Sequence, residues 1–163
     1  MNELDAAVLA LGETLRAQGL RLATAESCTG GMIAAACTAI AGSSDWFERG
    51  FVTYSNDAKT EMLGVPAALI AAHGAVSAEV ARTMADGALD RSHADLAVAV
   101  TGIAGPGGGS KDQPVGTVWL AVARTGQAAK AELLQLEGDR AAVRLQTVAR
   151  ALQRLQAEVS LPR

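Results

Sequence analysis

Lysine is nearly absent from this chain. Lys59, Lys111 and Lys130 are the only ones among 14 basic side chains, so each can be weighed singly. Aromatic residues are equally scarce, at 3% of 163 residues. The core, from a composition that is 50% apolar, therefore has to be packed mainly with alanine, leucine and valine. There is no surplus of positive charge. The formal net charge is −3, which gives no basic face for a nucleic-acid partner. The two cysteines, Cys28 and Cys37, fit neither a zinc spacing nor a redox CxxC motif, and two are too few for a disulfide framework in a chain this long. They point to a reducing, cytoplasmic setting. The first residues carry acids and no basic stretch, so no secretory signal is expected. No apolar run approaches the roughly 20 residues of a membrane span. His73 and His93 stand isolated, so no metal is expected. Neither GxGxxG after the first strand nor GxxxxGK[ST] occurs, which argues against the common dinucleotide and phosphate-loop folds.

What is present is an alternation of short strands and helices. Leu4, Val8, Leu11 and Leu15 recur at helical spacing and predict a helix over 3–18, stopped by Gly19. "LRLATA" (20–25) reads as a strand, and the residues up to Gly42 as an alanine-rich buried helix. "GFVTYS" (50–55) is a second strand. "NDAKTEML" forms one or two helical turns with Asn56 as cap. Pro66 opens a short helix ending near Gly74, and Ser77 caps another over 77–92. "ADLAVAVTG" (94–102) is continuously apolar, as a strand buried on both faces should be. Segments 117–124 and 129–137 are strands that pair antiparallel across "TGQ". Asp139 caps a closing helix whose apolar stripe is Ala141, Leu145, Val148, Leu152, Leu155 and Val159. This order predicts a single domain over 1–163 of the α/β class: a three-layer α/β/α sandwich with a mixed, mostly parallel sheet of about five strands.

In open α/β sheets ligands bind beyond the carboxyl ends of the strands. Three polar segments fall there: "ESCTGG", "YSNDAK" and "TGIAGPGGGS". Ser27, at a strand-to-helix turn, is either a helix cap, the commoner use of such a residue, or a nucleophile. Unpaired N–H groups at a helix start can receive an oxyanion, and Gly30 and Gly31 let a substrate approach the backbone. Lys59 is a candidate base if burial lowers its pKa, and Tyr54, five residues earlier, a candidate proton relay. The alternative is a solvated lysine and a half-core tyrosine. The Tyr-x-x-x-x-Lys gap does not fit the short-chain dehydrogenases. Cys28 is the competing nucleophile, without a histidine nearby in sequence. Arg140 and Arg144 share a helix face, where an anion would relieve their clash with the helix dipole; pairing with Asp139 or Glu137 is the alternative.

Together, "TAESCTGG", "GFVTYSNDAKTEMLGV", "GAVSAEVARTMADGA", "AVAVTGIAGPGGGS" with "PVGTVWLAVA", and "GDRAAVRLQTVARAL" resemble the CinA C-terminal domain family over about residues 5–155. Its members include stand-alone nicotinamide-nucleotide amidohydrolases. The resemblance implies hydrolysis of the carboxamide of nicotinamide mononucleotide (NMN) to nicotinate mononucleotide and ammonia, a step of pyridine-nucleotide salvage. The family's serine, tyrosine and lysine fall on Ser27, Tyr54 and Lys59, with no metal and no cofactor. Thr29, Gly30, Gly31, Thr101, Gly102, Gly105, Gly107, Gly108 and Arg140 become the expected substrate contacts, with Arg140 on the phosphate. Gln113 stands where the family often has a lysine. Longer relatives carry an N-terminal nucleotide-processing domain whose activity is not carried over. Two other readings stay open: a non-catalytic nucleotide-binding or adaptor module, and an amidase acting on non-nucleotide amides. The expected partner is a small nucleotide, with neither nucleic acid nor membrane; amphipathic helices at both ends are compatible with a homo-oligomer.

Overall fold

Helix boundaries follow the local chemistry of caps and glycines. In the computed structural model, which describes residues 1–161, α1 (Glu3–Gln18) opens on a reciprocal capping box between Asn2 and Asp5 and closes on Gly19 in the left-handed region. β1 (Leu22–Glu26) leads through a glycine turn into α2 (Met32–Thr38), and a 3₁₀ turn (Ser43–Asp45) precedes β2 (Phe47–Val52). Then come α3 (Asn56–Leu63), α4 (Ala67–His73), α5 (Ala78–Asp90), β3 (Leu96–Gly102), β4 (Thr117–Arg124), β5 (Lys130–Gln135) and α6 (Arg140–Ser160). Ser77 and Asp139 cap α5 and α6, as their positions predict.

The sheet runs β2-β1-β3-β4-β5. β1 pairs parallel with both β2 and β3, while β3–β4 and β4–β5 are antiparallel. Only β4 is reversed, so the sheet is mixed and its other strands share one direction. Strand alternation sorts side chains by size. Ala23, Ala25, Ala97, Ala99, Ala121 and Ala123 face α5 with Val80, Met84 and Leu63. Leu22, Leu96, Val98, Val100, Val118, Leu120 and Val122 face α1 and α6. The expected three layers result. Alanines let α5 lie close to the sheet, and Gly87 lets it touch α3: a Cβ there would overlap the Leu63 carbonyl. No helix of the described residues is long and apolar enough to cross a membrane.

Four local expectations need correction. β2 begins at Phe47 and ends at Val52, because an edge strand tolerates Glu48 and Arg49; Tyr54 and Ser55 lie beyond it. The cap of α3 is Ser55, whose side chain accepts from the Ala58 N–H, and Asn56 is the first helical residue. α2 ends at Thr38, well before Gly42, and buries only Ile33 and Cys37. In α6 the buried face of the first turns is carried by other residues than the expected stripe. Val143 and Thr147 are buried, whereas Ala141 and Leu145 are exposed; Leu145 lines a shallow groove against α1. From Val148 onward the stripe is buried as expected.

Candidate active site

The carboxyl ends of β1, β2 and β3 lie on one sheet edge, and the order reverses beside β1. β5 also ends there, which brings the first turn of α6 to the same edge.

β1 ends on Glu26, only 1% exposed. Its carboxylate accepts from the Thr29 hydroxyl at 2.5 Å, the Ile33 N–H at 2.8 Å and the Ala34 N–H at 3.0 Å. A buried anion thus caps α2 from the far side of the loop it closes. The Gly30 N–H donates to the Ser27 carbonyl and the Met32 N–H to the Thr29 carbonyl. The N–H groups of Gly30, Met32, Ile33 and Ala34 are thereby taken, whereas those of Thr29 and Gly31 make no backbone hydrogen bond among the described residues. Gly30 and Gly31, at φ 58° and 107°, serve the shape of the turn.

Ser27 is held by its own N–H on the Val100 carbonyl at 3.1 Å, which ties it to β3. Lys59 Nζ reaches it from α3, 3.1 Å from Ser27 Oγ, and donates to the Thr53 carbonyl at 3.1 Å and the Tyr54 carbonyl at 3.3 Å. Lys59 is 1% exposed, and no carboxylate pairs with it among the described residues. Burial lowers its pKa below the ordinary lysine range; the neighbouring Cys28 opposes this weakly. Cys28 itself is pushed up to about 11 by burial, so it is a poor thiolate.

Tyr54 is 62% exposed, and its hydroxyl accepts from Arg140 Nη2 at 3.2 Å rather than meeting Ser27 or Lys59. Arg140 also donates to the Gly105 carbonyl at 2.8 Å. Arg144 does not pair with Asp139 or Glu137; it donates to the Cys28 and Thr29 carbonyls. The Thr101 hydroxyl donates to the Ala75 carbonyl and Gln113 Nε2 to the Val76 carbonyl, which fixes the wall between α4 and α5.

These groups enclose a cleft of about 240 Å³ lined by Ser27, Cys28, Tyr54, Lys59, Thr101 and Arg140, with Gly102 and Val76 among its walls. A second groove of about 610 Å³, lined by Pro106, Val115 and Arg144, adjoins it through Ala104 and Arg140. The structure thus brings Ser27, Tyr54, Lys59, Thr101, Gly102 and Arg140 together. Thr29 is turned inward to Glu26, Gly105 enters only through its carbonyl, and the exposed Gly107 and Gly108 lie outside both lining sets. Sequence reasoning missed Glu26 as the cap of α2, and it missed the hold of Arg144 on the Cys28 and Thr29 carbonyls. The acceptor–donor spacing of seven and eight residues across a loop is not a recognised cap pattern, and the partners of Arg144 lie more than a hundred residues away.

The fold and this cleft define an open α/β domain with a serine hydroxyl set against a buried lysine, unpaired with any carboxylate among the described residues, at the sheet's switch point. The chain belongs to the CinA C-terminal domain family, whose description matches residues 5–159. It is 54% identical to "Nicotinamide-nucleotide amidohydrolase PncC" of Escherichia coli (strain K12), over 89% of this chain and 88% of that protein. It is 61% identical to a "CinA-like protein" of Geobacter sp. (strain M21) over 87% of this chain, but spans only 34% of that longer relative. Among solved structures, competence/damage inducible protein CihA from Agrobacterium tumefaciens superposes with a TM-score of 0.93 at 47% identity, covering 96% of each chain.

Proposed function

We propose that this chain is an amidohydrolase that converts NMN to nicotinate mononucleotide and ammonia, a step of pyridine-nucleotide salvage, with Ser27 as nucleophile and Lys59 as base. The observation that carries the reading is the 3.1 Å approach of Lys59 Nζ to Ser27 Oγ in a buried setting with no paired carboxylate among the described residues. A neutral amine there has two N–H groups for the Thr53 and Tyr54 carbonyls and a lone pair for the serine proton. The name of the Escherichia coli relative supports the substrate.

Ser27 Oγ attacks the carboxamide carbon as Lys59 Nζ takes its proton. The resulting ammonium keeps all three of its N–H groups bonded, so the transfer leaves no buried donor stranded. Lys59 returns the proton to the departing nitrogen, which leaves as ammonia. Water then attacks the acyl-enzyme, with Lys59 as base again, and nicotinate mononucleotide is released. The oxyanion is received by the backbone N–H groups of Cys28 and Thr29, which make no backbone hydrogen bond among the described residues. The pyridine ring occupies the 240 Å³ cleft between Ser27 and Thr101, and ribose and phosphate extend past Arg140 into the adjoining groove. Tyr54 holds Arg140 through its hydroxyl and serves orientation rather than proton relay.

Ammonia release from NMN tests this directly. Ser27→Ala and Lys59→Met are each expected to lower kcat by about 10³-fold or more while NMN still binds by calorimetry. Near-native kcat in either variant refutes the assignment. NMN binding by the wild-type chain without turnover marks a binding module instead. Hydrolysis of nicotinamide as fast as NMN marks an amidase that does not require the nucleotide.

A further inference from the structure

Ser27 to Gly30 form a turn closed by the Gly30 N–H on the Ser27 carbonyl at 3.0 Å. The carbonyls of the two residues between them face α6. Arg144 Nε donates to the Cys28 carbonyl at 3.2 Å and Nη2 to the Thr29 carbonyl at 3.4 Å. One edge of a planar guanidinium therefore spans two successive peptides. The guanidinium lies flush on the turn: a Cβ on Gly30 would sit 3.6 Å from Nη2. Below the turn, Glu26 takes the Thr29 hydroxyl. Thr29 is thus gripped by an anion through its side chain and by a cation through its carbonyl.

In a trans peptide the N–H points opposite to the carbonyl it follows. Fixing the Cys28 carbonyl on Arg144 therefore fixes the direction of the Thr29 N–H, on the face away from α6. A charged donor on a carbonyl also polarises the peptide and strengthens its N–H as a donor. Arg144 lines the adjoining groove and not the cleft that holds Ser27, so its influence on Ser27 passes through that peptide. It projects from the second turn of a 21-residue helix, a rigid support.

We propose that Arg144 is a positioning residue for the reaction: it sets and polarises the Cys28–Thr29 peptide so that the Thr29 N–H receives the oxyanion as Ser27 attacks. This rests on the reading of Ser27 as nucleophile. A tether that only docks α6 would affect stability; this role affects the transition state.

The test compares Arg144→Met, which keeps length without donors, with Arg144→Lys, which keeps one cationic donor. Arg144→Met is expected to lower kcat for ammonia release about 10²-fold with KM for NMN within about twofold, the range for a lost oxyanion donor. Arg144→Lys should fall between it and wild type. In Arg144→Ala, added guanidinium at tens of millimolar should restore kcat in a saturable way. A second readout needs no nucleotide: phosphonylation of Ser27 by a fluorophosphonate, followed by intact mass, should slow in parallel. If wild type turns over and labels while Arg144→Met matches it in both, the Arg144 proposal falls and the function reading stands. A rise in KM with kcat unchanged also overturns it, since that marks a substrate contact. A loss of activity that tracks a fall in melting temperature, with no guanidinium rescue, marks a tether and overturns it as well. If the wild-type chain neither releases ammonia nor labels at Ser27, the function reading fails, and this proposal with it.

Discussion

Replacing Glu26 by glutamine isolates the contribution of one buried anion to the geometry of the turn that follows it. The carboxylate accepts three hydrogen bonds, two on Oε1 and one on Oε2. An amide of the same shape has one oxygen to offer. Placed on the Oε1 side, it keeps the Thr29 hydroxyl and the Ile33 N–H as neutral bonds, each weaker by about 1 kcal/mol than its charge-assisted counterpart. The amide nitrogen then faces the Ala34 N–H, donor against donor, and a charged bond worth about 1.5–3 kcal/mol is lost. Together the change costs about 3.5–5 kcal/mol, or a fall in Tm of about 7–20 °C for a domain of this size. Because the same carboxylate orients Thr29, kcat for ammonia release should fall too, with KM little changed. Differential scanning calorimetry and the ammonia assay on Glu26→Gln measure both. A Tm within about 2 °C of wild type would falsify the claim that this anion holds the turn.

The rate–pH profile gives a second check. Burial lowers the Lys59 pKa, so kcat/KM should rise with pH along a limb centred below the ordinary lysine value of about 10.4. The limb should persist in Tyr54→Phe; its disappearance there would make Tyr54 the base. Cys28 and Cys37, with thiols pushed up to about 11 and about 12 by burial, should resist iodoacetamide at pH 8 while a small-molecule thiol is consumed, as read by intact mass. Rapid alkylation of Cys28 would contradict its packing role. Gly87→Ala gains helix propensity but drives a methyl into the Leu63 carbonyl. A net loss of about 1–2 kcal/mol is expected in urea unfolding, and a neutral result would mean that α5 shifts freely on the alanine face.

The parts of this molecule legible in its sequence are those written by neighbours a few residues apart. Gly19, Ser77 and Asp139 mark helix ends through local cap chemistry, and the continuous apolar run before Gly102 marks the strand covered on both faces. The serine and the lysine were legible as candidates because each belongs to a polar segment that follows a strand, but nothing in the spacing of 27 and 59 dictates a 3.1 Å contact. That contact follows from the sheet order, which places β1 between β2 and β3. The clamp on the turn was not legible. Glu26 meets its donors only after the chain has folded back on itself, and Arg144 meets the Cys28 carbonyl only when α6 docks. At the start of α6 the buried face is carried by Val143 and Thr147, so Ala141 and Leu145 look inward by periodicity yet are exposed.

That no carboxylate pairs with Lys59 among the described residues also has a consequence for how the folded state responds to alkali. An ammonium buried without a counter-ion is a burden that the unfolded chain does not carry, because there the side chain is hydrated. Below the lowered folded-state pKa both states are protonated, and the burden is present in full. Between that value and the ordinary one the unfolded chain holds the proton that the folded chain has shed, so unfolding free energy rises with pH across that window. Most buried ionisable groups make a fold less tolerant of extreme pH; this one should make it more tolerant of mild alkali, and the gain should vanish in Lys59→Met. The domain is thus least stable with respect to this residue in the protonation state in which Lys59 cannot act as a base, and relieved of the burden in the state in which it can.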